Sequence, residues 1–342
     1  MKAYHLVGQQ GPASLAMVDL PDPAPGPGQV LVRVHANALN YRDLMISDGR
    51  YGSVSLPLVP LSDGAGEVVA CGEGVTRWRP GDRVAGTFFQ GWGDGAYRRE
   101  IAATALGGAL PGMLAEQVVL PETGLVSIPP HLDFIHASTL PCAGVTAWHA
   151  LVESGQVKAG QTVLLLGTGG VSLFALQIAK MHGARTLITS GSDQKLERAL
   201  SLGADAAISY KRNPDWEEEV FRLTDRKGVD HVVEVGGQGT FSKSLRSLAP
   251  HGKVHVVGGV SGFSSEISLR DILGRLAVVQ GIFVGSRRMF ESLNCAMALH
   301  RLQPVVDRVF GWTEAALAYR YLQSGAHFGK VVIARNHQPG SY

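Results

Sequence analysis

The feature that most constrains the fold is a glycine-rich turn between a buried strand and a helix. Residues 162–166 form an apolar strand, Gly167-Thr168-Gly169-Gly170 a tight turn, and residues 171–181 a helix that Gly183 ends. Glycines let the backbone approach a pyrophosphate, and the N–H groups of the helix start attract an anion. An ordinary connection can look the same, but this strand–turn–helix context is the one that dinucleotide binding requires. The candidate pyrophosphate-binding residues are Gly167, Gly169, Gly170 and Val171.

The chain around this turn alternates between apolar strands and amphipathic helices. The predicted strands are 162–166, 185–189, 206–209, 231–235, 253–257 and 276–283, and the predicted helices are 171–181, 193–202, 215–223 and 240–248. Near-continuous apolar strands that alternate with helices indicate a parallel sheet covered on both faces. Six strands suffice for a doubly wound α/β domain.

A different pattern precedes and follows this region. Gly- and Pro-rich segments with short β-branched runs at 29–34, 66–70 and 82–86 indicate a β-rich domain. After a helix at 288–302, the predicted strands 305–310 and 330–334 have no βαβ partner, and we assign them to that β-rich domain. Since 342 residues exceed the usual size of one core, we expect two domains. These are residues 1–128 completed by 303–342, and a dinucleotide-binding domain of residues 129–302.

Composition excludes several classes of partner. With 31 basic and 29 acidic side chains, the net charge of +2 gives no sign of nucleic-acid binding. The apolar runs are much shorter than the roughly 20 residues that span a bilayer, and residues 1–8 resemble a first strand rather than a secretory signal. Cys71, Cys142 and Cys295 form no close pair, which excludes a disulfide framework. We therefore expect a cytoplasmic protein that acts on a small molecule.

The end of the second strand bears on the choice of cofactor. The ribose of a bound dinucleotide meets this strand end ~20 residues after the glycine turn, where Ser190, Ser192 and Lys195 lie and no carboxylate ends the strand. A carboxylate there would bind the 2′-hydroxyl of NAD, whereas hydroxyls and a Lys suit the 2′-phosphate of NADP. The pattern favours NADP(H) over NAD(H). Alternatively, Ser192 or Asp193 only caps the next helix, and Asp193 leaves NAD open.

Five segments together resemble the medium-chain dehydrogenase/reductase superfamily over nearly the whole chain. They are residues 62–68 with 80–84, residues 140–147, the glycine turn, and Gly329-Lys330-Val331-Val332. The resemblance implies a GroES-like β-rich catalytic domain interrupted by a Rossmann domain, with a nicotinamide cofactor in the cleft. It also implies a homodimer or homotetramer.

The zinc ligands of the family's alcohol dehydrogenases are mostly missing. Those relatives carry Cys, His and Cys where this chain has Asn40, Ser62 and Cys142, and their four-cysteine structural lobe falls in residues 88–112, which contain no Cys. A catalytic zinc needs about three protein ligands and a structural zinc about four. We expect no zinc.

The segment Asn40-Tyr41-Arg42-Asp43 resembles the Asn-x-x-Asp of zinc-free quinone oxidoreductases, in which the Asn lies near the nicotinamide. Those relatives place a Lys and a Tyr around the 2′-phosphate, and Lys195 and Tyr210 match these positions. A family Tyr two residues after the Asp is Met45 here, while Tyr51 either faces the cleft or packs. The candidate catalytic residues are Asn40, Asp43 and Tyr51.

The resemblance also implies contacts to the nicotinamide half of the cofactor, although strand-end structure alone would explain the same residues. The candidates are Thr146, Gly258, Val260, Ile282 and Val284.

The sequence thus favours an NADPH-dependent, zinc-independent oxidoreductase that transfers hydride to an enone, enal, quinone or related carbonyl compound. Two alternatives stay open: an alcohol/aldehyde dehydrogenase-type activity, and a non-enzymatic dinucleotide-binding protein, because a fold alone does not fix activity.

Overall fold

The computed structural model describes residues 1–335 and His337. The chain divides into two compact units, one from Met1–Val145 together with the chain from Gly285 onwards, and one from Thr146–Val284.

The N-terminal part of the first unit consists mostly of short strands. They are β1 (Lys2–Leu6), β2 (Leu15–Asp19), β3 (Gln29–Ala38), β4 (Asp63–Cys71), β5 (Arg83–Gly86), β6 (Gln117–Pro121) and β7 (Leu125–Ser127). Two short helices, α1 (Tyr41–Ser47) and α2 (Phe134–Ala137), accompany them, with 3-10 turns at Gly11–Ser14, Arg99–Thr104 and Glu122–Gly124. The predicted strands at 29–34, 66–70 and 82–86 correspond to β3, β4 and β5.

The second unit begins within a helical segment that includes α3 (Val145–Trp148). Its strands are β8 (Thr162–Leu165), β9 (Arg185–Ser190), β10 (Ala206–Ser209), β11 (Val229–Glu234), β12 (Leu248–Val256) and β13 (Val278–Gly281). Its later helices are α4 (Gly170–Met181), α5 (Asp193–Ser201), α6 (Trp216–Leu223), α7 (Phe241–Arg246) and α8 (Leu269–Leu273).

The chain then returns to the first unit with α9 (Arg287–His300), β14 (Val306–Gly311), α10 (Ala315–Gln323) and β15 (Lys330–Ala334). By its contacts α9 groups with the first unit, whereas the sequence assigned residues 288–302 to the dinucleotide-binding domain.

The sheet of the second unit confirms the expected doubly wound arrangement. All of its pairings are parallel, and its strand order is β10-β9-β8-β11-β12-β13. Val163, Leu164 and Leu165 of β8 are completely buried, because helices cover both faces of such a sheet. The order reverses between β8 and β11, and ligands of such sheets bind outside the carboxyl ends of the strands at that point.

The sheet of the first unit brings distant parts of the sequence together. Its order is β14-β15-β3-β4-β5-β7, with β6 also paired to β3. The antiparallel pairing of β15 with β3 places Val332 opposite Ala38, so the last strand lies beside the residues that lead into Asn40.

One expectation for this unit was wrong. Strands β14 and β15 do form a parallel pair, joined by α10, a helix that was not predicted from the sequence. Helix α1, with Asn40 as its N-cap residue, was not predicted either. Among the described residues, no helix is both long and apolar enough to cross a bilayer.

Candidate functional site

The glycine turn after β8 leaves open space where a side chain would otherwise lie. Gly167 has a φ of 72°, which favours glycine, and a Cβ atom on Gly167 or Gly169 would meet no atom within 4 Å. Gly169 is the N-cap residue of α4 and provides no side-chain cap. Gly170 and Val171 are the first residues of that helix. This arrangement suits a pyrophosphate, which backbone N–H groups at a helix start can bind.

Ser172 follows the glycine turn at the position where the family motif has its third glycine, and its side chain is hydrogen-bonded to the end of β8. Its hydroxyl donates a hydrogen bond of 2.7 Å to the carbonyl oxygen of Leu166, and the side chain is buried. The extra atoms therefore tie the helix to the strand end and leave the outer side of the turn open.

The candidate 2′-phosphate residues lie together at the ends of the neighbouring strands β9 and β10. Ser190 Oγ accepts a hydrogen bond of 3.2 Å from the N–H of Ser192, and Ser192 Oγ accepts one of 3.4 Å from the N–H of Lys195. The half-exposed Tyr210 lies against Gly191, where any Cβ would come within 2.8 Å of the Tyr210 ring and hydroxyl. Ser192 therefore caps α5. It also lies just after the end of β9, beside the other candidate 2′-phosphate residues.

Asp193, the residue that leaves NAD possible as the cofactor, has an ion-pair partner that was not identified from the sequence. Its carboxylate forms an ion pair with Arg212, two residues after Tyr210. A paired carboxylate repels a phosphate less than a bare one, because the cation compensates its charge.

The carboxyl ends of β11, β12 and β13 carry the candidate nicotinamide residues. The N–H of Gly258 approaches the Glu234 carbonyl oxygen at 3.3 Å, and the N–H of Val260 donates to Val235 at 3.1 Å. Ile282 donates its N–H to Val256 at 2.9 Å. The carbonyl oxygen of Val284 is 2.7 Å from His149 Nδ1. Thr146 is buried in α3.

Val284 has a strained backbone. Its φ is 52°, which is unusual for a β-branched residue and marks a position that surrounding structure must hold.

Glu234 organises these loops and was not identified from the sequence. It is completely buried at the end of β11. Its Oε1 accepts hydrogen bonds from the N–H of Gly236 at 2.7 Å, the N–H of Gly237 at 3.0 Å and Thr240 Oγ1 at 2.7 Å. Its other oxygen accepts from Ser244. An acidic residue directly after the apolar pair Val232-Val233, at the end of β11, was the available signal.

In the first unit, Asn40 and Asp43 are joined through the start of α1. The N–H of Asn40 donates a hydrogen bond of 2.7 Å to Asp43 Oδ2, and the N–H of Asp43 donates one of 3.0 Å to the Asn40 carbonyl oxygen. Burial raises the pKa of Asp43 to about 7, and the neighbouring Arg42 opposes this shift. Asp43 therefore holds the backbone of Asn40 at the N-terminus of the helix.

Tyr51 packs on a cation. The Arg42 guanidinium lies 4.9 Å from the centre of the Tyr51 ring and 4.7 Å from that of Phe88, while Arg42 Nη1 donates a 2.9 Å hydrogen bond to Leu106. Tyr51 also contacts the apolar cluster of Leu6, Ile46 and Leu58. Met45, at the position of the family Tyr, is buried.

A buried lysine, Lys330, lies beside Asn40 and is the first residue of β15. Only 3% of the residue is exposed. Its Nζ donates hydrogen bonds to the Leu39 carbonyl oxygen at 2.7 Å and to Asn40 Oδ1 at 2.6 Å, and lies 3.9 Å from Asp63 Oδ2. From the sequence Lys330 was identified only as part of the family motif Gly329-Lys330-Val331-Val332, although a Lys that begins an apolar strand was a signal of a buried charge.

Asp63 is the acidic partner of this lysine. It is completely buried, its Oδ1 accepts a 2.7 Å hydrogen bond from Ser62, and its Oδ2 accepts one of 3.3 Å from the N–H of Cys142. Burial raises the pKa of Asp63, and Lys330 opposes this most strongly, followed by Ser62, Asn40 and Cys142. The three positions that bind zinc in relatives thus surround a Lys–Asp pair.

These residues do not fit a zinc ion. The Asn40 oxygen already accepts from an ammonium group, which would repel a nearby dication. Burial raises the pKa of the Cys142 thiol, whereas zinc binds the thiolate. Within residues 1–335 and 337, no three His, Cys, Asp or Glu side chains are grouped to hold a metal ion.

Comparisons with known proteins place the chain among oxidoreductases. A family model described as alcohol dehydrogenase GroES-like domain matches residues 26–130, and one described as zinc-binding dehydrogenase matches residues 170–299. The second match lies outside Asn40, Ser62 and Cys142, so its description does not restore zinc ligands to this chain.

Three relatives illustrate the range of activities. A zinc-type alcohol dehydrogenase-like protein of Schizosaccharomyces pombe is 44% identical over 314 residues, which are 90% of this chain and 91% of that protein. The crystal structure of an NAD-dependent alcohol dehydrogenase is 36% identical with a TM-score of 0.89, covering 98% of this chain and 99% of that one. A quinone oxidoreductase of Pseudomonas syringae pv. Tomato DC3000 is 31% identical with a TM-score of 0.82, covering 97% and 99%. The non-enzymatic alternative is therefore set aside.

The residues at the zinc-ligand positions lead to a prediction about metal content. We expect the purified, dialysed protein to hold no stoichiometric zinc, because the Lys330 ammonium group binds Asn40 and burial raises the pKa of the Cys142 thiol, whereas zinc binds the thiolate. Elemental analysis by mass spectrometry measures this, with turnover recorded before and after treatment with a chelator. About one zinc per chain, lost together with turnover, would contradict it.

Proposed function

The chain belongs to the medium-chain dehydrogenase/reductase superfamily, and we propose that it is an NADPH-dependent, zinc-independent reductase of enones, enals, quinones or related carbonyl compounds. The membership makes it an oxidoreductase with a nicotinamide dinucleotide cofactor. The observation that carries the proposal is the buried pair of Lys330 and Asp63 beside Asn40, where alcohol dehydrogenases hold zinc.

The direction of the reaction follows from what a zinc-free site lacks. Oxidation of a simple alcohol must remove a hydroxyl proton as the hydride leaves, and zinc eases this by lowering the pKa of the bound oxygen. Reduction of an activated double bond does not require a metal ion to lower the pKa of a hydroxyl group. NADPH supplies the hydride to carbon, negative charge develops on an oxygen that a few hydrogen-bond donors can stabilise, and water can supply the last proton.

Asn40 is the proposed donor to that oxygen. No described residue accepts a hydrogen bond from its Nδ2, although this nitrogen lies near enough to Asp63 to lower the pKa of that carboxyl group. In the family the corresponding Asn lies near the nicotinamide, which would bring a reacting oxygen within reach. Asp43 holds the Asn40 backbone, and Tyr51 is a second candidate donor.

The preference for NADPH is supported by the ends of β9 and β10. Hydroxyls of Ser190 and Ser192 accompany Lys195 and Tyr210 there. The ion pair with Arg212 reduces the repulsion that Asp193 would exert on a 2′-phosphate. Gly258, Val260, Ile282, Val284 and Thr146 would then flank the nicotinamide half, as the family implies.

A second candidate function is oxidation or reduction of an alcohol/aldehyde pair. It is favoured by the alcohol dehydrogenase-like relatives, one of which is described as NAD-dependent. Against it stands the unsuitable donor set for zinc, so this activity would have to proceed without the metal.

We also propose that the protein is a homodimer formed through β13, which is the edge strand of the second unit's sheet. Exposed apolar side chains occur in β13 and in the segment that leads to it from α8, and each is at least 42% exposed: Leu269, Leu273, Leu276, Val278 and Val279. An apolar sheet edge is a template for pairing with another strand, and a second copy presents an identical, self-complementary edge.

We propose a cytoplasmic location, since the three cysteines of the protein are all free.

The cofactor proposal predicts that wild-type protein binds NADPH more tightly than NADH. Lys195→Ala should weaken NADPH by about tenfold or more, because a hydrogen bond to a charged group contributes ~1.5–3 kcal/mol, and should change NADH little. Arg212→Gln should act in the same direction and Asp193→Asn in the opposite one. Quenching of protein fluorescence gives the dissociation constants.

The exposed Lys227, which precedes β11 and so lies at the opposite end of the sheet, is the matched control for Lys195. Its replacement by Ala should leave both affinities unchanged. Equal binding of NADPH and NADH by the wild type would reject the proposed preference.

The chemical proposal predicts faster reduction of enones or quinones with NADPH than oxidation of simple alcohols with NADP. Asn40→Ala should lower turnover about a hundredfold, which is the scale for loss of one preorganised donor, and should leave most NADPH affinity in place. Cofactor absorbance across a panel of enones, quinones, aldehydes and alcohols measures this. If simple alcohols are the best substrates, or if Asn40→Ala keeps full turnover, the mechanism is wrong.

The assembly proposal predicts a mass of two chains in sedimentation velocity. Leu273→Asp together with Val279→Asp should give a folded monomer, because two buried charges would oppose pairing of the edges. The highly exposed Leu299 on α9, which belongs to the other unit, is the control. Its change to Asp should leave the dimer intact, and a wild-type monomer at micromolar concentration would contradict the proposal.

A further inference from the structure

We propose that Lys330 is a positioning residue that fixes the orientation of the Asn40 side-chain amide, so that this amide can act on a bound carbonyl oxygen only as a donor. The inference rests on the proposed function, in which Asn40 holds that oxygen. It assigns Lys330 no contact with substrate.

The chemistry of lysine determines which amide atom it binds. An ammonium group has three N–H donors and no acceptor, whereas an Asn amide has a carbonyl oxygen on one side and an NH₂ group on the other. The amide atom 2.6 Å from Lys330 Nζ is Asn40 Oδ1. A flipped amide would place two donors against each other, so Lys330 excludes that orientation.

Lys330 itself is held firmly. It starts β15, which pairs with the end of β3, and its Nζ also donates 2.7 Å to the carbonyl oxygen of Leu39. Two of its three donors therefore bind consecutive residues, Leu39 and Asn40, and the ammonium group sets the position of the Asn40 side chain relative to its own backbone.

Asp63 attracts the Lys330 ammonium group without competing for these bonds. Its Oδ2 lies 3.9 Å from Lys330 Nζ, which is too long for a hydrogen bond but close enough for an electrostatic attraction at a buried place. The Asp63 oxygens accept hydrogen bonds from Ser62 and from the N–H of Cys142, and the Asn40 side chain also lowers the pKa of this carboxyl group. The donors of Lys330 thus stay directed at Leu39 and Asn40.

The result is an amide with one group fixed and one group available. The Asn40 N–H donates a 2.7 Å hydrogen bond to Asp43 Oδ2, and Lys330 fixes Oδ1. The buried Nδ2 makes no hydrogen bond to a described residue, although it lies near enough to the Asp63 carboxyl group to lower its pKa. A buried donor without an acceptor is unfavourable, and a carbonyl oxygen of a ligand would satisfy it.

The experiment compares two charge-neutral double variants, Lys330→Gln with Asp63→Asn and Lys330→Met with Asp63→Asn. Both remove the ion pair together, which avoids leaving one buried charge alone. Gln and Met have similar length, but only Gln keeps an N–H donor for Asn40 Oδ1. We expect the Met pair to have a kcat about tenfold to a hundredfold below that of the Gln pair, with the same Kd for NADPH and the same melting temperature.

The same comparison in an Asn40→Ala background separates positioning from general structure. There the difference between the Gln and Met pairs should disappear, because the amide that Lys330 orients is gone. Equal kcat values for the two pairs when Asn40 is present, or an undiminished difference in the Asn40→Ala background, would overturn the inference. Full turnover of Asn40→Ala alone would instead contradict the proposed function.

Asn40→Asp tests the orientation if the double variants do not fold. Asp keeps an oxygen for Lys330 and loses the Nδ2 donor, so the protein should fold and turnover should fall as far as in Asn40→Ala. Retained turnover in Asn40→Asp would mean that the oxygen, and not the nitrogen, serves the reaction, which overturns the inference.

Discussion

The site of the first unit depends on a buried ammonium group. Burial of an ammonium group to 3% exposure is costly unless hydrogen-bond acceptors and an opposite charge replace the lost water. Lys330 obtains these from two segments: Leu39 and Asn40, which connect β3 to α1, and Asp63 at the start of β4. The need to satisfy one cation therefore joins the strand order of the sheet to the geometry of the candidate catalytic amide.

The second unit meets a different requirement, which is to keep strand ends open for a dinucleotide and still satisfy their polar groups. Glycines at 167 and 169 leave space, while buried side chains hold the loops from behind. Ser172 bonds the end of β8, and Glu234 bonds the loop after β11. A carboxylate that accepts several N–H bonds can stabilise a loop that has no regular backbone pairing. These hydrogen bonds therefore hold the loops in place through side chains that lie away from the open side.

Local patterns were sufficient to predict the parallel sheet. Strand β8 and its glycine turn are read from adjacent residues, and six apolar runs separated by helices leave few alternatives. The family marks selected Asn40 as a candidate and identified Asn40 and Ser62 as replacements of two zinc ligands of the alcohol dehydrogenases. Helix α1 was missed because seven residues give little periodicity, and α10 because its strands were interpreted without the segment between them.

The partners of Asn40 could not be read from sequence for a physical reason. Lys330 is 290 residues from Asn40, and only the pairing of β15 with β3 brings them together. The same holds for Arg212 and Asp193, whose contact depends on the register of β9 and β10. Such contacts fix which amide atom is available and which carboxylate is neutralised.

The central claim, hydride transfer from NADPH to carbon without zinc, is tested most directly by isotope transfer. Chelator-treated protein would be given a simple enone and NADPH with deuterium at the transferred position of its nicotinamide. We predict one deuterium at the β-carbon of the saturated product, and a product without deuterium, or turnover that returns only when zinc is added, would contradict the account.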